Sequence, residues 1–137
     1  MLKTMGANKE FILIAEDSSP NRMILIHILK KLGFEVIDCA DGSLAWEALE
    51  KETEKNIVAV FSDFMMPKMD GMGLLRKIRS SVRNKDIPFV LVTALSNQEW
   101  VKEAQELKCS AAIIKPANRE KIVKVLNGIF PEKNYQP

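Results

Sequence analysis

Ile57-Val58-Ala59-Val60-Phe61-Ser62-Asp63-Phe64-Met65-Met66-Pro67-Lys68-Met69-Asp70-Gly71 is the stretch from which the rest of the chain can be read. It opens on an apolar run, Ile57 to Phe61, without the alternation of a half-solvated strand. Such a run suits a strand covered on both faces, as in a parallel sheet. It meets a carboxylate and then a loop closed by proline and glycine, which predicts a strand over Ile57–Ser62 with Asp63 at its mouth. Open α/β sheets bind their ligands at the carboxyl ends of strands, so Asp63 is the first candidate for chemistry.

Outward from this strand, apolar runs alternate with helical patterns, the signature of a βα repeat. A first strand is predicted over Phe11–Ala15. A helix follows it, capped by Ser18 or Ser19, with Pro20 in its first turn and Gly33 beyond its end. Phe34–Asp38 reads as the second strand. Asp41-Gly42-Ser43 turns into a helix with Leu44, Ala45, Ala48 and Leu49 on one face. The helix after the third strand carries Leu74, Leu75 and Ile78 inward. Pro88–Val92 is the fourth strand, followed by a helix around Gln98–Leu107. A buried strand over Ala111–Ile114 leads to Lys115. Ala117–Phe130 is the last helix, with Ile122, Val125, Leu126 and Ile129 inward. Right-handed crossovers then place helices on both faces of a five-stranded, doubly wound parallel sheet. Residues 1–8 read as an N-terminal extension, 9–130 as one domain and 131–137 as a frayed tail.

Composition narrows the class. The chain has 137 residues, 47% hydrophobic and 28% charged, with a net charge of +2. That charge is too small to argue for nucleic acid or a membrane surface. No apolar run approaches the ~20 residues of a spanning helix, and Met1 to Gly6 lacks the apolar centre of a secretion signal. Cys39 and Cys109 are far apart and without metal-ligand spacing. Both read as small buried thiols in a cytoplasmic protein.

The predicted strand ends bring Glu16, Asp17, Asp63, Thr93 and Lys115 to one edge of the sheet. Clustered carboxylates repel and raise one another's pKa, and a hard divalent cation such as Mg²⁺ (or Mn²⁺) relieves this. Thr93 and Lys115 supply a hydroxyl and a positive charge for the oxygens of a phosphoryl group in transfer. Asp63 is then the nucleophile that forms an acyl phosphate.

Glu16-Asp17, Asp63 with Met66-Pro67-Lys68-Met69-Asp70-Gly71, Thr93-Ala94 and Lys115-Pro116, in this order, closely resemble the receiver domain of two-component response regulators over residues 9–130. The resemblance implies a flavodoxin-like fold with strand order 2-1-3-4-5. It also implies Mg²⁺ held by Asp17, Asp63 and the Met65 carbonyl, with Glu16 acting through a water. Asp63 takes phosphate from a histidine kinase or a histidine phosphotransfer protein, Thr93 and Lys115 bind the phosphoryl oxygens, and Ala94 leaves room for them. The protein is on this reading a signalling phosphoacceptor that catalyses only its own phosphorylation and dephosphorylation. A cis peptide is implied at Lys115-Pro116.

The departures from the family carry information. Glu16 stands where the family more often has Asp. Ala112 replaces the Tyr or Phe that swings inward on activation, which points toward a phosphorelay intermediate over a chemotaxis-type signal. Met65 and Leu95 lie at positions that govern water access to the acyl phosphate, and two apolar groups there predict slow self-hydrolysis. Lys108-Cys109 replaces a helix-closing glycine, so a residue with a side chain must adopt positive φ at roughly 1 kcal/mol.

The first helix is apolar nearly all round. With Ile24, Leu25, Ile28 and Leu29 in the core, Met23 and Ile26 are surplus and read as a docking surface for a partner's helices. Trp100 reads as a contact residue for an unknown output protein, and His27 as a surface residue. Arg76, Lys77, Arg79, Arg83 and Lys85 read as a solvated helix end favoured by the macrodipole. Three rivals compete. A flavodoxin-like cofactor binder needs a glycine-rich phosphate loop, which Glu16-Asp17-Ser18-Ser19-Pro20 is not. An aspartyl phosphohydrolase needs a second acid two residues from the nucleophile, where Met65 stands. A degenerate receiver acting as a phosphorylation-independent interaction module is the alternative that the intact acid, hydroxyl and lysine set opposes.

Overall fold

The computed structural model describes residues 9–94 and 99–137. The expected extension over residues 1–8, the start of the fourth helix at Gln98 and the tuning position Leu95 lie outside them. Strands β1 (Glu10–Ala15), β2 (Glu35–Cys39), β3 (Asn56–Asp63), β4 (Phe89–Thr93) and β5 (Ala111–Ile114) alternate with helices α1 (Ser19–Lys31), α2 (Gly42–Lys51), α3 (Gly71–Ser80), α4 (Val101–Glu106) and α5 (Arg119–Ile129). The strands form one parallel sheet in the order β2-β1-β3-β4-β5. The expected doubly wound architecture and strand order are those observed.

Strand periodicity sorts the core. Ile12 and Ile14 of β1, Phe61 of β3 and Val90 and Val92 of β4 face α1 and α5, meeting Leu25, Leu29, Ile122 and Leu126. Their alternates Leu13, Ala15, Val60 and Leu91 face α2, α3 and α4, meeting Ala45, Leu49, Leu74, Leu75, Ile78 and Ala104. The central strands are buried on both sides, which is why β3 reads as a continuous apolar run.

Side-chain caps start α1, α2, α3 and α5. Ser18 Oγ accepts the Asn21 N–H at 3.3 Å, Asp41 that of Leu44 at 2.8 Å, Asp70 that of Gly73 at 2.8 Å and Asn118 that of Lys121 at 2.8 Å. Gly33 ends α1 at φ 101°, a left-handed conformation that glycine adopts freely. Gly71 closes the loop after Asp63 for a different reason. A Cβ at Gly71 would collide with the Asp63 carbonyl oxygen.

Several expectations are corrected. Leu44 is exposed and Trp46 packs on the core in its stead, because Leu44 lies about 140° round the helix from buried Leu49 and Trp46 only about 60°. On α1, Ile24 is 45% exposed, while Ile26 packs against the core. The expected burial of β5 fails: it is the edge strand, with Ala112 exposed and Ile114 42% exposed. Cys109 is half-buried. Of the basic run, Arg76, Lys77 and Lys85 are solvated as expected, but Arg79 donates to the carbonyls of Lys85, Ile87, Leu107 and Lys108, and Arg83 to those of Leu49 and Glu50.

The tail beyond Phe130 is docked, not frayed. Tyr135 lies 5.7 Å from the Phe34 ring, Asn127 clasps both backbone groups of Tyr135, and Lys133 pairs with Glu10 at 2.6 Å. Lys108 holds the expected positive φ, at 57°, and Lys115-Pro116 is cis.

Candidate functional site

The carboxyl ends of β1, β3, β4 and β5 converge as the sequence predicts, because parallel strands start at one end of the sheet and finish at the other. Asp63 ends β3 and is 6% exposed. Its Oδ1 accepts the Phe64 N–H at 2.8 Å and its Oδ2 accepts from Lys115 Nζ at 3.1 Å. The same Nζ lies 3.1 Å from Glu16 Oε1, so one ammonium bridges two buried acids. Glu16 is fully buried. Its Oε2 accepts the Ser18 N–H at 3.0 Å, whereas Oε1 faces Lys115 without an aligned hydrogen bond. Asp17, the neighbouring acid, is exposed.

Thr93 ends β4 fully buried, and its carbonyl accepts the Lys115 N–H at 2.8 Å, tying the hydroxyl-bearing strand to the lysine. Ala94 is exposed at the mouth beside it. Met65 is 63% exposed on the loop that leaves Asp63. Electrostatics follow from this packing. Burial pushes the Glu16 carboxyl up, aided by the Asp63 charge and opposed by the Ser18 hydrogen bond and by Lys115. Burial alone lowers the Lys115 pKa, but its bonds to Asp63 and Glu16 more than offset this and raise it.

A hard divalent cation fits the donor set. Glu16, Asp17 and Asp63 each offer a carboxylate oxygen within 4.8 Å of the others, and oxygen ligands at that spacing suit Mg²⁺.

Other sites predicted from sequence fall elsewhere. Ala112 sits on the exposed edge strand opposite Leu91. Met23, at 61% exposure, joins Ile26, His27, Lys30 and Lys31 around a shallow pocket of about 320 Å³ on α1. The open apolar surface there is Met23 and Ile24, with Ile26 turned toward the core. Trp100, expected as a contact residue, is half-buried. Its ring packs on Phe64 and the core, and its Nε1 is buried.

Arg22 is a residue the sequence reading passed over. Its Nη1 donates to the Glu16 carbonyl at 2.7 Å and its Nε lies 3.4 Å from Asp38 Oδ2, so it braces the turn that carries the two acids. The available signal was a cation near the N-terminus of a helix, a placement the macrodipole disfavours.

Comparison with known proteins agrees with this geometry. The sequence profile of the response regulator receiver domain matches residues 12–127. A probable chemotaxis protein CheY of Rhizobium etli is 34% identical over 90% of this chain and 95% of its own length. The chemotaxis response regulator CheY4 of Vibrio cholerae superposes with a TM-score of 0.79 at 26% identity, over 89% of this chain and 99% of that one. The receiver domain of a Pseudomonas aeruginosa sensor histidine kinase, solved with magnesium coordinated in its active-site cleft, gives 0.76 at 25% identity, over 87% and 95%.

Proposed function

The chain belongs to the response regulator receiver domain family, the phosphoacceptor module of two-component signalling, and from that premise we propose that Asp63 is the residue phosphorylated. The observation that carries the assignment is the lysine bridge. Asp63 is the one acid of the cluster that shares Lys115 while standing at the end of a central strand, with Thr93 on the next strand. An Asp63 oxygen forms a bond to phosphorus as the P–N bond of a phosphohistidine breaks and its electron pair returns to the imidazole. Lys115 turns from the carboxylates to the phosphoryl oxygens, Thr93 donates its hydroxyl to them, and Ala94 leaves them room.

Asp17 and Asp63, with the Met65 carbonyl, are the residues that would hold Mg²⁺, and Glu16 would act through a water. When bound, the ion neutralises charge on the phosphoryl group. Glu16 and Lys115 meanwhile keep the charge of the pocket balanced. The phosphodonor is a histidine kinase or histidine phosphotransfer protein, and its docking surface is the apolar face of α1 around Met23 and Ile24. With Ala112 on β5, no aromatic side chain there follows Thr93, which favours a relay role over a switch built on that residue.

Intact-mass analysis after incubation with acetyl phosphate and Mg²⁺ tests the reading. One added phosphoryl group is expected, lost in Asp63→Asn and in the presence of a chelator. Its decay is expected to slow because exposed Met65 shields the acyl phosphate with an apolar group, and Met65→Asn should shorten the lifetime several-fold. A folded chain that binds Mg²⁺ but takes no phosphate would instead be a phosphorylation-independent interaction module.

A further inference from the structure

Asp63 presents its carboxylate between two donors of different kinds. Lys115 holds Oδ2 by a flexible ammonium at 3.1 Å, and the Phe64 peptide holds Oδ1 at 2.8 Å. The orientation of the acid therefore depends on a backbone N–H at the end of β3, and the residue that carries it, Phe64, is held by a hydrogen bond and by packing. The Phe64 carbonyl accepts the Gly71 N–H at 2.8 Å. Its half-buried ring lies 6.1 Å, centroid to centroid, from the Trp100 indole at a tilt of 56°. Both rings rest on the core shared with Leu74, Leu75 and Leu91.

Trp100 caps α4 without a side-chain hydrogen bond, and its Nε1 is buried with no acceptor among the described residues. Buried indoles ordinarily find a partner for that N–H. The ring's aromatic neighbour is Phe64, the residue that follows Asp63.

We propose that Trp100 is a positioning residue for phosphoryl acceptance: by buttressing the Phe64 ring it keeps the Phe64 N–H on Asp63 Oδ1, and so sets the direction from which the carboxylate meets phosphorus. This rests on the assignment of Asp63 as phosphoacceptor. A rearrangement around a phosphorylated Asp63 reaches Trp100 through the Phe64 ring, 6.1 Å away. Small displacements of a nucleophile are expensive in rate, on the order of a hundredfold for 1 Å.

The test uses the full chain and its two tryptophans. Trp100→Leu removes the ring contact and keeps an apolar side chain, while Trp100→Phe keeps a ring. Phosphorylation by acetyl phosphate at saturating Mg²⁺ is followed by intact mass, and Mg²⁺ affinity separately by calorimetry. Trp100→Leu is expected to slow phosphorylation about tenfold with Mg²⁺ affinity within about twofold of wild type, and Trp100→Phe to restore most of the rate. In Trp46→Phe, where Trp100 is the sole emitter, its fluorescence is expected to change on phosphorylation and not in the Asp63→Asn double variant. Should Trp100→Leu fail to fold, Phe64→Leu removes the same contact from the other side. An unchanged rate in the leucine variant overturns the proposal, as does a rate loss matched by lost Mg²⁺ affinity. A silent Trp100 on phosphorylation also overturns it. A wild-type chain that takes no phosphate defeats the Asp63 assignment first, and this inference with it.

Discussion

Cys39 ends β2 beside two carboxylates, and its thiol behaves as its surroundings dictate. Burial pushes its pKa up to about 11, with Asp38 and Asp41 adding to the rise and Arg22 opposing it. A raised thiol pKa means that the folded chain keeps its proton after the unfolded chain has released it. The associated stability is therefore complete below the unfolded thiol's pKa, near 9, and is lost as pH climbs toward 11. The loss amounts to about 2–3 kcal/mol for this one group. Urea midpoints between pH 8 and 11 should fall more steeply in wild type than in Cys39→Ala, and parallel slopes would refute the assignment. At pH 8 a thiol reagent should leave native Cys39 untouched. The inert character of this cysteine was legible in the sequence, because two cysteines far apart and without metal-ligand spacing have few alternatives. The half-exposure of Cys109 was not, because it depends on β5 being an edge.

Elements hold one another through a single guanidinium at the lower end of α3. Arg79 donates from Nε to the Leu107 carbonyl at 2.7 Å, from Nη1 to Lys85 at 2.9 Å and Ile87 at 2.8 Å, and from Nη2 to Lys108 at 3.1 Å. Lys108 is the residue at φ 57° that ends α4 where a glycine would be relaxed, so the clasp holds the strained turn in place. Arg79→Ala should lower stability by about 2–3 kcal/mol, since several carbonyls lose a charged donor together. Arg79→Lys should recover under half of that, because an ammonium cannot match a planar fork. A urea melt showing a loss below about 0.5 kcal/mol for Arg79→Ala would mean that water replaces the arginine. Helices, strands and their order were readable because apolar periods and caps are local signals. The Arg79 clasp and the docked tail were hidden, since each is decided by a residue distant in sequence: Leu107 for Arg79, and Phe34 for Tyr135. The site residues escaped that difficulty. In a parallel sheet every strand end reaches the same edge, so sequence position alone brought Glu16, Asp63, Thr93 and Lys115 together.

At the scale of the whole molecule the fold gathers Glu16, Asp17 and Asp63 at one edge and supplies Lys115 as the cation between two of them. Three carboxylates against one ammonium leave an imbalance that a divalent cation removes, so cation binding and folding are linked. Mg²⁺ at about a hundred times its Kd should add about 2.7 kcal/mol, a rise of roughly 10 °C in Tm for a domain of this size. Asp17→Asn should abolish most of that rise. Lys115→Ala separates two explanations of the lysine. If its ammonium is the resting counter-charge, its loss leaves Glu16 and Asp63 facing each other across a buried gap. The metal-free variant should then melt lower than wild type while gaining more from Mg²⁺, because the ion no longer competes with a positive neighbour. An unchanged Mg²⁺ increment would show that Lys115 acts on the phosphoryl group alone. Thermal melts of the two variants and wild type, with Mg²⁺ and with a chelator, decide between these at the same protein concentration.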